Sequence, residues 1–403
     1  AVLRAGVVEP APGGWPDRCI SDFGPRAATA VRVVCFNILA VCYARTQSAV
    51  RDLYPYCPAS ALDMSYRQPL LGRELKQLDG DLVFLQECGY AVFHKCLIPL
   101  FGEQYAMRIS LKASKVSEGC AMFVRRGAFE VLEERDALFR NFLRSSPELR
   151  RVFREVLAKW PDFVSSILPR MTTIFQLSVV RHVASGEVIV LANTHLFFHP
   201  NARHIRLLQV MCFAQLVQEL REKHRGANGG RLPRAIVCGD LNSAPSSSAA
   251  QLLVRGEVPS DHADWDFFSQ FAWRDDDDAV ELQAEAEPGE GDDAVGGAAA
   301  EEGSEEGLEP LPEAEWAKGK GVTLRSPAGP LSDAYVGTGL AFTNYVQGFQ
   351  ATLDYILTGG AWRVRRVLPG PSEEELMPEG GLPSIRHPSD HLCIAADLEI
   401  VDG

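Results

Sequence analysis

"IVCGDLNSAP", residues 236–245, runs as an apolar strand into an acid, an amide and a proline. A buried strand tolerates unpaired polar side chains badly, so an end on Asp240 and Asn242 calls for a partner at that point. Alternate side chains of a strand share a face. The spacing therefore predicts Asp240 and Asn242 turned into one pocket and Leu241 turned away, an arrangement suited to a cation. Working outward, other apolar runs end in the same manner: "VRVVCFN" on Asn37, "DLVFLQE" on Glu87 and "EVIVLANTH" on His195. Near the C-terminus "ATLDYIL" carries Asp354, and "SDHLCIAADLEIV" opens with Asp390 and His391. One such run is ordinary. Six of them place a single cleft along the edges of a sheet or sandwich.

Helical patterns lie between the strands. "YRQPLLGRELKQL" (66–78) and "ARHIRLLQVMCFAQLVQELREKH" (202–224) repeat apolar residues at three- and four-residue spacing. "SSPELRRVFREVLAKWP" (145–161) has Ser146 before Pro147 as its cap and Leu149, Val152, Phe153, Val156, Leu157 and Trp160 on one face. Arg150, Arg151, Arg154 and Lys159 fall largely elsewhere, and a solvated basic face outweighs an RNA-contacting one. The alternation makes this an α/β chain. Residues 1–30 show no sustained period and read as an irregular lead-in; residues 31–403 read as one catalytic domain.

The 403 residues are 46% hydrophobic and 23% charged, the composition of a globular protein. No apolar run reaches the roughly 18–20 residues that span a bilayer. The net charge of −13 is unevenly spread: residues 275–315 hold 17 of the 53 acids and no Lys or Arg, so the other 362 residues carry 36 acids against 40 bases. The rest of the chain is mildly basic, which suits a polyanionic substrate. The acidic, Gly- and Ala-rich segment cannot bury enough apolar surface to order itself, and reads as a disordered insertion within one domain. The ten cysteines form no C-x-x-C pair, and several sit in strand-like runs as reduced core residues.

Glu87, Asp240, Asn242 and Asp390 offer oxygen donors of the kind Mg²⁺ or Mn²⁺ prefers, and no Cys/His set has zinc spacing. With His195 and His391 beside them, the set suits phosphodiester cleavage: a cation neutralises phosphate charge and a base deprotonates water. No G-x-S-x-G, Walker or G-x-G-x-x-G motif supports acyl transfer, nucleotide switching or dinucleotide redox. Taken singly, Glu87 would more often be an exposed strand-end acid and His195 a structural histidine. The order N…LQE…TH…GDxN…LDY…SDH is what carries specificity.

That order resembles the exonuclease/endonuclease/phosphatase superfamily, with a DNase I-like fold, a four-layer α-β-β-α sandwich. "FNILA", "YPYC", "EGCAMF", "ANTHLFFHP", "CGDLNSAPSS", "FTNYVQGFQATLDYIL" and "HPSDH" are similar to the CCR4-type deadenylase branch, and among these to the 2′,5′-phosphodiesterases that also act as mitochondrial poly(A)-specific 3′ exoribonucleases. The correspondence is loose only over about 130–175 and in the acidic insertion. The resemblance implies Glu87 as principal Mg²⁺ ligand (Mn²⁺ a possible substitute), with Asp240, Asn242 and Asp390 also metal-facing, and Asn37 supporting metal and phosphate. It further implies that Asp240 activates water, that His391, oriented by Asp354, contacts the scissile phosphate, and that His195 binds phosphate on the other flank. Phe349 would stack on adenine, and Asn242, Asn344 and Pro245 would also lie against substrate. Implied too are a single-stranded A-rich RNA or 2′,5′-oligoadenylate partner, no membrane, a monomer, and the mitochondrial matrix, with the cytoplasm as alternative. Two other readings stay open: a catalytically silent RNA-binding scaffold, and a phosphatase of lipid head groups.

Overall fold

The computed structural model describes residues 15–26, 29–113, 117–146, 149–150, 153–156, 160, 163–269, 271 and 321–401. The acidic insertion predicted at 275–315 lies outside the described residues, as do Pro147, Arg151, Val152, Leu157 and Lys159. Apolar runs with both faces buried build the inner strands of the sheets. In chain order the strands are β1 (Ala30–Asn37), β2 (Leu82–Gly89), β3 (Tyr105–Leu111), β4 (Glu118–Arg125), β5 (Phe129–Leu138), β6 (Ile174–His182), β7 (Val188–His195) and β8 (Arg234–Asp240). After them come β9 (Glu257–Val258), β10 (Leu324–Arg325), β11 (Ser332–Asp333), β12 (Asn344–Val346), β13 (Phe349–Ala351), β14 (Asp354–Gly359), β15 (Trp362–Val367) and β16 (Ile394–Ile400).

Two six-stranded sheets form, ordered β15-β16-β1-β2-β4-β3 and β11-β14-β8-β7-β6-β5. Each contains one parallel pair, β1 with β2 and β7 with β8. Parallel neighbours need a crossover, and the helices Met64–Leu78 and Arg203–Lys223 lie in those two connections. Strand alternation then builds the layers. Val31, Val33 and Cys35 of β1 meet Ile189, Leu191, Ile236, Cys238 and Ile356 between the sheets. Val34 and Phe36 face outward onto Leu71, Leu75 and Leu78, while Val190, Ala192, Val237 and Leu357 pack outward against Leu208, Cys212 and Leu216. The result is the α-β-β-α sandwich that the resemblance implied.

Two local expectations change, and the helical reading of 145–161 holds where that stretch is described. Within the supposed irregular lead-in, Trp15–Phe23 is helical. Cys19 and Phe23, one turn apart, are buried, and the guanidinium of Arg32 lies 4.1 Å from the Phe23 ring centroid; one short contact stripe suffices where a longer period is absent. In the 145–161 stretch, 149–150 and 153–156 are helical, with Leu149, Phe153, Val156 and Trp160 buried and Arg150 and Arg154 exposed. Finally, β16 starts at Ile394, so Asp390 and His391 sit in the loop before the strand and do not open it.

Candidate active site

The antiparallel register of β14 on β8 sets Asp354 opposite Asp240, and the parallel register of β7 on β8 sets His195 opposite Asp240. These three side chains thus form one row at one end of the inter-sheet face. From the other sheet, Asn37 ends β1 and crosses the gap: its Nδ2 donates to Glu87 Oε1 at 2.9 Å and to Asp240 Oδ2 at 3.0 Å. His391 donates from Nδ1 to Asp354 Oδ2 at 2.8 Å. Its Nε2 lies 3.6 Å from Asp240 Oδ2, and His195 Nε2 lies 3.5 Å from the same oxygen.

Backbone conformation delivers two of these groups in a way that alternation alone does not. By parity Glu87 belongs with Val83 and Leu85 on the outer face. A bulge between Leu85 and Cys88 against β4 and a left-handed Glu87 (φ 53°) redirect it. Its Oε2 accepts from the Ala40 amide at 2.9 Å. Asn242 likewise corrects the sequence reading: β8 ends at Asp240, and Asn242 has φ 47°, so the two do not share a face by strand alternation. Instead the Asn242 amide N–H turns back to Asp240 Oδ1 at 2.8 Å, and its Nδ2 donates to Leu196 O at 2.9 Å. Leu241 is buried in the outer cluster, turned away as expected. Gly239 precedes the acid because a Cβ there would come within 2.1 Å of Thr194 O.

The loops are fastened by residues that motif reading passed over. Arg67 is fully buried and donates to the carbonyls of Leu62, Ile38, Leu39 and Pro388, joining the chain after Asn37 to the chain before Asp390. Ser389 Oγ donates to Asn37 O at 2.6 Å. Tyr54 OH donates to Asp390 Oδ2 at 2.9 Å. Lys112 reaches Glu118 Oε1 at 2.6 Å and His195 Nδ1 at 3.4 Å. The available signal was Arg67 itself, a charge at the buried position of a helix whose Leu71, Glu74 and Leu78 lie on the same side; for Lys112 the sequence offers none.

Of the other expected substrate residues, Asn344 is buried and spends its Nδ2 on Asp390 O at 3.2 Å, while its backbone bridges to His391. It therefore braces the Asp390–His391 loop. Phe349 is 50% exposed on the β12–β13 hairpin that leads into β14. Pro245 is exposed, five residues beyond the end of β8.

Burial, Asp390 and Glu118 push the Glu87 carboxyl up to about 7. Burial, opposed by His391 and reinforced by Asp354, raises Asp240 to about 6. Burial and the Lys112 charge hold His195 well below the usual imidazole range. Burial opposes charge on His391 as well, but Asp354 and Asp240 outweigh it and hold its pKa well above that range. The site thus pairs a neutral imidazole with a cationic one around a single carboxylate oxygen.

The all-oxygen set of Glu87, Asp240, Asn242 and Asp390 suits a hard divalent cation, and the mutual charge of Glu87 and Asp390 asks for one. Among the described residues, Asp240, Asp354 and His391 also bring ligand atoms within 4.8 Å of one another. There the imidazole Nδ1 is already bonded to Asp354 and protonated, so the pair reads better as a proton-holding dyad than as a ligand set.

Residues 35–391 match the Endonuclease/Exonuclease/phosphatase family. The 2′,5′-phosphodiesterase 12 of Rattus norvegicus is 34% identical over 378 residues, which is 92% of this chain and 52% of the rat protein. The CCR4-NOT transcription complex subunit 6-like-B of Xenopus laevis is 24% identical over 388 residues, 91% of this chain and 63% of its own. The chain spans about half to two thirds of the length of these relatives. A crystal structure of ANGEL2, a 2′,3′-cyclic phosphatase, in complex with adenosine-2′,3′-vanadate superposes with a TM-score of 0.64 at 19% identity, covering 93% of this chain and 98% of that one. That likeness concerns the fold.

Proposed function

Because the chain belongs to the Endonuclease/Exonuclease/phosphatase family, we propose that it is a divalent-metal-dependent phosphodiesterase and 3′ exoribonuclease. Its substrates would be 2′,5′-oligoadenylate and 3′ poly(A) tails, and its product AMP. The observation that carries this reading is the in-register row Asp354, Asp240, His195, faced by Asn37, Glu87 and His391. Its support from relatives is the 2′,5′-phosphodiesterase and CCR4-type names among them. Glu87, Asp390, Asp240 and Asn242 would hold Mg²⁺, whose chemistry when bound is to neutralise phosphate charge and lower the pKa of water.

The chain's own groups account for the remaining work. Asp240, its Oδ2 fixed by Asn37, takes the proton of the attacking water. His391, kept cationic by Asp354, donates Nε2–H to a nonbridging oxygen of the scissile phosphate, and His195 donates from the opposite flank. The new O–P bond forms as the P–O bond to the preceding ribose breaks; the departing ribose oxygen takes a proton from solvent to become the new terminal hydroxyl, and the terminal nucleotide leaves as AMP. Phe349 offers an exposed ring to an unpaired adenine, the contact on which selection of an A-rich single strand would rest. Action as a monomer in the mitochondrial matrix belongs to the same proposal. The test is a 5′-labelled A-only oligonucleotide incubated with Mg²⁺, beside the same oligonucleotide capped by cytidines at its 3′ end: single-nucleotide shortening of the first, absent from the second and lost in Asp240→Asn, supports the reading. Full activity in Asp240→Asn would defeat it. Cleavage of a lipid phosphate head group in place of RNA would favour the phosphatase alternative.

A further inference from the structure

Lys112 follows β3 and is almost wholly buried, with a side chain 13% exposed. Its Nζ lies 2.6 Å from Glu118 Oε1, 3.4 Å from His195 Nδ1 and 5.9 Å from the centroid of the Tyr43 ring. Tyr43 OH donates to the same Glu118 oxygen at 3.0 Å. An ammonium carries three N–H donors and no acceptor. A ring nitrogen that faces one must therefore be the unprotonated nitrogen. The single proton of a neutral imidazole then sits on the other nitrogen, and in His195 that is Nε2, which points to Asp240 Oδ2 at 3.5 Å.

We propose that Lys112 is a positioning residue that fixes His195 as its Nε2–H tautomer, so that this histidine presents an N–H, and never a lone pair, to the Asp240 carboxylate and the substrate phosphate. His391 shows the opposite arrangement, since its Nδ1 faces the Asp354 carboxylate at 2.8 Å and carries a proton there. The two imidazoles that flank Asp240 thus differ at Nδ1, which faces an ammonium in His195 and a carboxylate in His391. Glu118 is part of the device. Burial alone would discharge the lysine; the Glu118 carboxylate outweighs it and keeps the Lys112 pKa raised. This inference rests on the phosphodiesterase reading for its consequence: with its acceptor nitrogen blocked, His195 cannot serve as the base, and that role falls to Asp240.

The test is the histidine ring ¹H–¹⁵N correlation spectrum of the full chain, with His195 picked out from the nine histidines by comparison with His195→Gln. Wild type should show His195 with a pyridine-like Nδ1 and a protonated Nε2, and Lys112→Arg should keep that pattern. The double variant Lys112→Met with Glu118→Gln removes the donor without stranding a buried carboxylate, and should populate the Nδ1–H form. Its kcat on triadenylate should fall about 10- to 100-fold with KM within about twofold, the size of effect expected when a group supporting a site residue is lost. A wild-type His195 protonated on Nδ1, or an unchanged tautomer in the double variant, would overturn the inference. The spectra read the tautomer whether or not the chain cuts oligoadenylate, so failure of the phosphodiesterase reading would appear separately, as absent activity.

Discussion

Replacing Glu87 by Gln should stabilise the metal-free protein while abolishing its activity. The carboxyl is raised from 4.5 to about 7 by burial and by Asp390. An acid with a raised folded pKa costs nothing below its unfolded pKa; its cost grows as pH rises from the unfolded to the folded value and is level above that. At about 1.4 kcal/mol per unit, the ionised group costs roughly 3 kcal/mol at pH 8 and about 1 kcal/mol at pH 5. The amide that replaces it keeps one acceptor oxygen but loses either the Asn37 or the Ala40 contact, a loss of ~1 kcal/mol. The net expectation is a variant more stable by about 2 kcal/mol at pH 8 and no more stable than wild type at pH 5. Thermal unfolding in EDTA at the two pH values reads this as a higher Tm for the variant at pH 8 that disappears at pH 5. With Mg²⁺ the order at pH 8 should reverse, because wild type gains a ligand that the variant binds poorly. A variant less stable than wild type at pH 8 in EDTA, or a Tm difference independent of pH, would refute the view that these acids are held apart from a counter-cation.

Further outcomes follow from the same geometry. Asp354→Asn removes the carboxylate that keeps His391 protonated; kcat should drop about 10²- to 10⁴-fold, and the alkaline limb of the pH–rate profile should move to lower pH. Phe349→Ala should raise KM for A-only oligonucleotides by roughly 5- to 100-fold, equivalent to ~1–3 kcal/mol of lost stacking; since the ring is 50% exposed, urea midpoints should barely change. Arg67→Leu should destabilise the protein by roughly 3–5 kcal/mol, because four carbonyls lose a hydrogen bond worth a net ~1 kcal/mol each. Urea unfolding at pH 7 would show it, as burial leaves this guanidinium at about 10 and still charged.

The strands and the two crossover helices were legible because each apolar run is long and each helix repeats its period over several turns. The polar residues that close the runs were legible as a set, and the register brings Asp354, Asp240 and His195 into one row. What the pattern could not convey is where the backbone leaves regular geometry. Two-residue alternation would send Glu87 into the outer layer, and only a bulge with a left-handed residue returns it to the cleft. Asn242 was placed beside Asp240 for the wrong reason, since the strand has ended and a turn back onto Asp240 Oδ1 sets its position. Lys112 meets His195 and Tyr54 meets Asp390 across long sequence separations, contacts that leave no period and no local motif. The Trp15–Phe23 helix escaped because Cys19 and Phe23 are too few to establish a repeat.

The most direct measurement is product analysis on 2′,5′- and 3′,5′-linked triadenylate, each with Mg²⁺ and with EDTA, using wild type and Glu87→Gln in parallel. The account predicts AMP released stepwise from the 2′,5′-linked trimer and from the 3′,5′-linked one, only with Mg²⁺ and only by wild type. No AMP from either trimer with Mg²⁺ present, or equal release by the variant, would contradict it.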